Sequence, residues 1–226
     1  ARALWEVVRT PKIVAAGGAL YRELRYALLN PSRAGLCRDP LEWLWSTHRD
    51  VVGAVVDPWI DAERLAGALR APATDFVASW HGYVSGDPSV AVAGTPLPES
   101  ASAAPVSNRP LREILSAVAA ALRIPISRLR ASSLARSLVV GLARLQGWTD
   151  NARLAAALDT SVRNVQRTGP ADPAALRAVE LCLGDQRLRA AFERNEPFVR
   201  SDRLRGPHRR APMIDDPRGR ADRPTT

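Results

Sequence analysis

The sequence predicts a mainly α-helical fold, on three observations. Leu111, Ile114, Leu115, Val118 and Leu122 follow the i, i+3, i+4, i+7 spacing of one helix face behind Pro110, a residue suited to a first helical position. Leu134, Leu138, Leu142 and Leu145 repeat helical spacing ahead of Gly147, which suits a helix stop. Short apolar clusters around Leu154, Val162 and Leu176 then each follow a capping pair: Thr149-Asp150, Asp159-Thr160 and Asp172-Pro173.

Taken in order, the first predicted helix covers 18–29. Leu20, Leu24, Ala27 and Leu28 share a face, and Asn30 is expected to end the helix because the residue before Pro31 is pushed out of helical geometry. A Pro- and Trp-containing segment follows to about residue 49. A second helix is predicted over 58–69, with Trp59, Leu65 and Leu69 on one face. Residues 82–109 turn to Gly, Pro, Ser and Ala with little periodicity, the composition of a linker. Five helices are then expected over 110–193: the two leucine-striped ones, a short one bearing Leu154, Ala155 and Leu158, a short one running to Gly169-Pro170, and one bearing Leu176, Val179 and Leu183. Residues 194–226 are rich in Arg, Pro and Asp, and their few apolar residues are too few to offset the entropy of ordering.

At 226 residues and 46% hydrophobic, the chain has enough apolar material for real cores in one ordinary domain or two small ones. The formal net charge is +9, and every basic residue except Lys12 is arginine, whose planar fork suits phosphates and base edges. A polyanionic partner fits that balance, although a GC-rich coding sequence also favours arginine. Cys37 and Cys182 stand far apart and form no C-x-x-C pair, which argues against a disulfide framework or a zinc knuckle. The sequence has no stretch approaching the roughly 20 uncharged apolar residues of a membrane span and no signal-peptide pattern, so a cytoplasmic protein without membrane contacts is expected. It opens on Ala1 in mid-pattern, which leads to the expectation of a preceding segment.

Tyr26 stands out. At about 100° per residue it lies well away from the Leu20, Leu24 and Leu28 stripe and should be accessible. Periodicity alone reads it as a surface tyrosine with a solvated hydroxyl. Its context adds a second reading. The run Tyr26-Ala27-Leu28-Leu29-Asn30-Pro31-Ser32-Arg33-Ala34-Gly35-Leu36, with the later Asp39-Pro40-Leu41-Glu42-Trp43-Leu44-Trp45-Ser46, resembles the end of the catalytic domain of REP-associated single-tyrosine HUH transposases. That resemblance implies that 1–81 is the end of an α+β transposase domain. It also implies that Tyr26 is the nucleophile that attacks a single-stranded DNA phosphate and becomes linked to the cut end. A phenol with pKa near 10 needs a cation to stabilise charge developing on the phosphate. The family uses a His-hydrophobic-His pair for a divalent metal, Mg or Mn. His48, His81 and His208 form no such pair, so the metal is expected in the complete protein, with no ligands in this chain and no cleavage by this chain alone. Arg33 is the candidate phosphate holder, while Asn30, Pro31 and Gly35 read as a helix stop and turn. Trp5, Trp43 and Trp45 are either core residues or platforms for unpaired bases.

The pair of short helices within 149–168 fits a helix-turn-helix packed through Leu154, Leu158, Val162 and Val165. Arg163, Asn164, Gln166 and Arg167 then face outward, and these are the side chains able to make paired hydrogen bonds to guanine or adenine edges in a major groove. A plain helical hairpin with a solvated polar face is the alternative. The stretch 111–188 resembles the C-terminal DNA-binding domain of the replication initiator DnaA. The match includes Ala135-Arg136-Ser137-Leu138-Val139-Val140-Gly141-Leu142, with Arg136 at a basic position of that family. The family's Asp-His-Thr-Thr is here Ser161-Val162-Arg163-Asn164, so the initiator's own box sequence is not the expected target.

The expected organisation is therefore a catalytic-domain remnant over 1–81, a linker over 82–109, a DnaA-like helical DNA-binding domain over 110–193 and a basic tail over 194–226. The expected partners are single-stranded DNA for the first part and duplex DNA for the helix-turn-helix. The tail arginines Arg200, Arg203, Arg205, Arg209 and Arg210 would add phosphate contacts. The competing readings are a non-catalytic DNA-binding regulator, a decayed relic, or an interaction module built on the helices of 111–145.

Overall fold

A computed structural model describes residues 14–15, 17–87, 96–98 and 109–191. The expected tail, Trp5 and His208 lie outside the described residues. Within them the regular structure is helical, with no strand. The helices are α1 (Gly18–Arg33), a 3-10 turn (Pro40–Glu42), α2 (Thr47–Val51), α3 (Ala62–Leu69), α4 (Phe76–Ser85), α5 (Leu111–Leu122), α6 (Ile126–Leu129), α7 (Ser133–Leu145), α8 (Asn151–Ala157), α9 (Val162–Gln166), α10 (Pro173–Gly184) and α11 (Gln186–Arg189).

Two apolar cores organise them. The smaller joins α1, α3 and α4 through Leu29, Leu65, Leu69, Phe76, Trp80 and Val84. Tyr21 packs its ring 5.8 Å from both Trp80 and Tyr83, which fixes the face that α1 turns toward α4. Contrary to expectation, α1 does not stop at Asn30. Pro31 sits inside its last turn, which continues to Arg33 and closes with Ala34 and Leu36 donating to the carbonyls of Asn30 and Pro31. Proline there gives up one hydrogen bond and crowds the Ala27 carbonyl, a disturbance confined to the last turn, where the chain is about to leave. The second predicted helix begins later than its pattern suggested. Asp61 caps α3 by accepting from the Arg64 N–H, so Trp59 precedes the helix and is exposed while Leu65 and Leu69 are buried.

The larger core centres on α5, with α7, α10 and α11 packed around it. Ile114 and Val118 are fully buried, contributing about 1.5–3 kcal/mol each. Ala117, Ala119, Ala120 and Ala121 are buried too, so α5 is enclosed on more than its leucine stripe and its small side chains let neighbours come close. On α7, Leu138 and Leu142 are buried, whereas Leu134 and Leu145 are exposed because they fall at the ends of the stripe, beyond the covering helices. Gly147, at φ 89, ends this segment in the left-handed conformation as expected. Gly141 is a close approach: a Cβ there would lie 3.3 Å from that of Ala171.

The same core takes in Leu41, Leu44, Val52 and Ala54, from before the predicted linker. Of that linker, the first residues complete α4 to Ser85, Leu97 packs against the larger core, and 88–95 and 99–108 lie outside the described residues. Arg49 holds the junction. Its fully buried guanidinium donates to the Leu41 carbonyl (2.7 Å) and the Leu188 carbonyl (3.2 Å), and Nη2 reaches Cys182 Sγ at 3.8 Å. Burial pulls the Arg49 pKa below its ordinary value and pushes the Cys182 thiol up to about 11. Arg187 bridges Asp39 (3.0 Å) and the Pro96 carbonyl (2.8 Å), and Arg123 pairs with Asp50. Replacing Arg49 by Ala leaves a cavity and two buried carbonyls unpaired. A urea titration is expected to show a loss on the order of 3 kcal/mol.

Candidate nucleic-acid interface

Two clefts gather the residues singled out from the sequence. The first, of about 490 Å³, lies beside α1 and α4 and is lined by Arg22, Glu23, Arg25, Tyr26, Arg33, Tyr83 and Asp87. Tyr26 is 57% exposed, on the face of α1 opposite the small core, as its position on the helical wheel predicts. The Arg33 guanidinium carbon sits 5.0 Å from the Tyr26 ring centroid, and its Nη1 lies 3.5 Å from the Tyr26 carbonyl. Asp87 pairs with Arg25 at 2.9 Å and lies 3.9 Å from Arg33. Arg25 also covers the Tyr83 ring at 4.4 Å. An exposed phenol thus stands among three arginines, two of them oriented by one carboxylate. Arg22 and Arg25 were missed from the sequence, although Arg22, Tyr26 and Arg33 at i, i+4 and i+11 share a helix face. Asp87, far along the chain, carried no comparable signal.

The second cleft, also about 490 Å³, lies between α7 and α9 and is lined by Ser133, Arg136, Ser137, Asn164, Arg167 and Thr168, among others. It joins Arg136 to two of the predicted groove-facing residues. Asp150 caps α8 through the Ala152 and Arg153 N–H groups, and Ser161 caps α9 through the Asn164 N–H. Leu154, Leu158 and Val165 are buried between the helices and the larger core. Val162 is exposed, not packed as expected, because α9 ends at Gln166 and one turn of helix buries only Val165. Arg163, Asn164, Gln166 and Arg167 are all exposed. Asn164 donates to the Thr160 hydroxyl at 3.1 Å, and Thr168 donates to the Asn164 carbonyl at 2.8 Å, which together brace the short helix. Gln166 faces the adjoining cleft on the other side, with Arg144 and Asn151.

The histidines do different work. His48, fully buried in α2, meets His81 of α4 edge to edge, with ring planes 5° apart, ring centroids 5.3 Å apart and His48 Nε2 3.1 Å from His81 Nδ1. His81 Nε2 lies 3.1 Å from the Pro96 carbonyl, which can only accept. That assigns the His81 proton to Nε2, makes His81 Nδ1 the acceptor and leaves His48 Nδ1 buried without a hydrogen-bond partner among the described residues. Burial first, then His81 and Arg187, holds the His48 pKa down at about 3. Among the described residues no group of three or more His, Cys, Asp or Glu is placed to hold a metal ion. The residues described do not fit a metal centre. No described helix is long and apolar enough to cross a membrane.

Because His48 is neutral in the fold but titrates near 6.5 once unfolded, the unfolded chain binds the extra proton as pH falls. Its contribution is complete above about pH 6.5 and is lost progressively toward pH 3, with a slope approaching ~1.4 kcal/mol per pH unit. Denaturant midpoints taken at pH 7 and pH 5 are expected to fall accordingly, and His48→Gln should flatten the difference. No family model, curated protein or solved structure matches this chain.

Proposed function

We propose that the chain is the DNA-binding part of a transposase that cleaves and rejoins single-stranded DNA through a phosphotyrosine intermediate. In this reading 1–81 is the end of an α+β HUH transposase domain like that of the REP-associated family, and the later helices are a DnaA-like helix-turn-helix unit that shares its core with Leu41, Leu44, Val52 and Ala54 of the first part. The observation that carries the reading is the exposed Tyr26 phenol beside Arg33, Arg22 and Arg25 in one open cleft. The phenolic oxygen forms a bond to phosphorus as a phosphorus–oxygen bond to the sugar breaks. The phenol gives up its proton and the departing sugar oxygen gains one. Arg33 holds the phosphate, and Asp87 keeps the guanidinium groups of Arg25 and Arg33 near one another. The divalent metal of the complete protein, Mg or Mn, would come with ligands that the described residues do not supply, so this chain contributes the nucleophile and the DNA-holding surfaces.

A second reading, a non-catalytic helix-turn-helix regulator or decayed relic, draws on the α7–α9 cleft alone, where Arg136, Asn164 and Arg167 converge. Duplex binding through Arg163, Asn164, Gln166 and Arg167 is common to both readings, and only the first uses Tyr26.

In a version of the protein carrying the complete catalytic domain, Tyr26→Phe should abolish the covalent adduct with a labelled single strand on a denaturing gel. An adduct that persists removes Tyr26 from the mechanism. For the helix-turn-helix, Arg167→Ala should weaken binding to a preferred duplex by about 1–3 kcal/mol if Arg167 reads a base, with altered sequence preference. Arg136→Ala, lost as a phosphate contact, should weaken all duplexes alike and lower the salt-dependence slope by about one.

A further inference from the structure

We propose that the cleft lined by Trp45 and Trp59 binds a single unpaired nucleobase, with preference for bases that carry an exocyclic amine. The inference deepens the reading above, since it rests on this chain meeting single-stranded DNA. Trp59 is 83% exposed and Trp45 is 45% exposed, an unusual outlay of large aromatic surface. Both line one cleft of about 200 Å³ together with Val55, Ala121 and Leu122 and the polar residues Thr47, Asp57 and Arg123. That volume is below the about 300–1,000 Å³ of drug-sized ligand sites and suits one ring system. It is too small to seat a helix about 10–12 Å across.

The main chain at both tryptophans is held by one frame. Arg123 donates to the Leu44 carbonyl at 3.0 Å and the Ser46 carbonyl at 3.2 Å, the residues on either side of Trp45. It also pairs with buried Asp50, whose other carboxylate oxygen accepts from the Trp59 N–H at 3.0 Å. Arg123 adopts φ 54, a left-handed conformation that a non-glycine residue keeps only where its surroundings hold it. The main chain of each tryptophan is thus positioned by the same ion pair before any ligand arrives, the preorganisation that a stacking platform needs. Arg123 is committed to this frame, so the cleft offers aromatic faces and an acceptor but no spare guanidinium. Asp57 is exposed and has no ion pair among the described residues. A carboxylate there repels a phosphate and accepts from the amino groups of adenine or cytosine, and thymine has no such group. The backbone phosphates would run outside the cleft, toward the net positive charge of the chain.

The test combines free nucleosides and short single strands on the whole chain. Adenosine and cytidine should shift the Trp59 indole N–H resonance more strongly than thymidine, and Asp57→Asn should erase that difference. Trp59→Ala should weaken binding of oligo-dA and oligo-dC about tenfold, within the range for losing one base–aromatic stack, with Trp59→Phe recovering most of it and duplex affinity unchanged. Because Trp59 is so exposed, the circular dichroism spectrum should be unaltered. If nucleosides leave the Trp59 resonance unmoved, or if Trp59→Ala binds every strand like the parent, the base site is overturned even where DNA binding itself survives. If nucleosides shift Trp59 but no DNA is bound, the transposase reading fails while the base site stands.

Discussion

A guanidinium hydrogen-bonded to main-chain carbonyls and not to a carboxylate is the joint on which the larger core turns. Arg49 is wholly removed from solvent, and its donors reach Leu41 on one side and Leu188 on the other. Burying such a cation is costly, and the cost is tolerable only because the carbonyls and the nearby Asp50 and Asp185 offset the lost hydration. Around it, Arg187 ties Asp39 to the Pro96 carbonyl, and Arg123 ties Asp50 to the turns about Trp45. These three arginines convert a proline- and tryptophan-rich stretch with little regular structure into a layer of the helical core.

That arrangement changes what the basic composition means. A net charge of +9 invites a nucleic-acid reading, yet Arg49, Arg123 and Arg187 are spent inside the fold. Many other arginines also face solvent, Arg64, Arg130 and Arg153 among them, but two sets gather in one place: Arg22, Arg25 and Arg33 around Tyr26, and Arg136, Arg163 and Arg167 around α9. Grouping, more than total charge, is what supports a polyanion at these two places. Both clefts sit on helices whose opposite faces are anchored, α1 by the aromatic packing of Tyr21 on Trp80 and Tyr83 and α9 by Val165.

Much of the helical architecture could be read from residue spacing, because spacing and caps act locally. The stripes on α5 and α10 and the caps Asp150 and Asp172 predict their helices well. The exposed sides of Tyr26, Arg163, Asn164, Gln166 and Arg167 followed from the same wheel geometry. Helix α4 was legible but unread: Phe76, Trp80 and Val84 stand at i, i+4 and i+8, ahead of a run whose Gly and Ser residues suggested a linker. What could not be read was pairing over long separations. Nothing in the local pattern marks Arg49 for Leu188, His48 for His81, or Arg25 for Asp87. The burial of Leu41 and Leu44, and the exposure of Leu134, Leu145 and Val162, depend equally on which surfaces the distant chain happens to cover.

The Arg49–Leu188 bond also has a temporal consequence. Its two ends are 139 residues apart, so a ribosome adding about 5–20 residues per second needs roughly 7–28 s between making the first and the second. Arg123 can reach the Leu44 carbonyl well before the interval ends, but the Arg49 guanidinium lacks its second acceptor until α11 is made. The nascent polypeptide must therefore carry a half-satisfied cation until its final helix emerges, and any message truncated before α11 would leave that guanidinium short of a partner in an otherwise apolar interior.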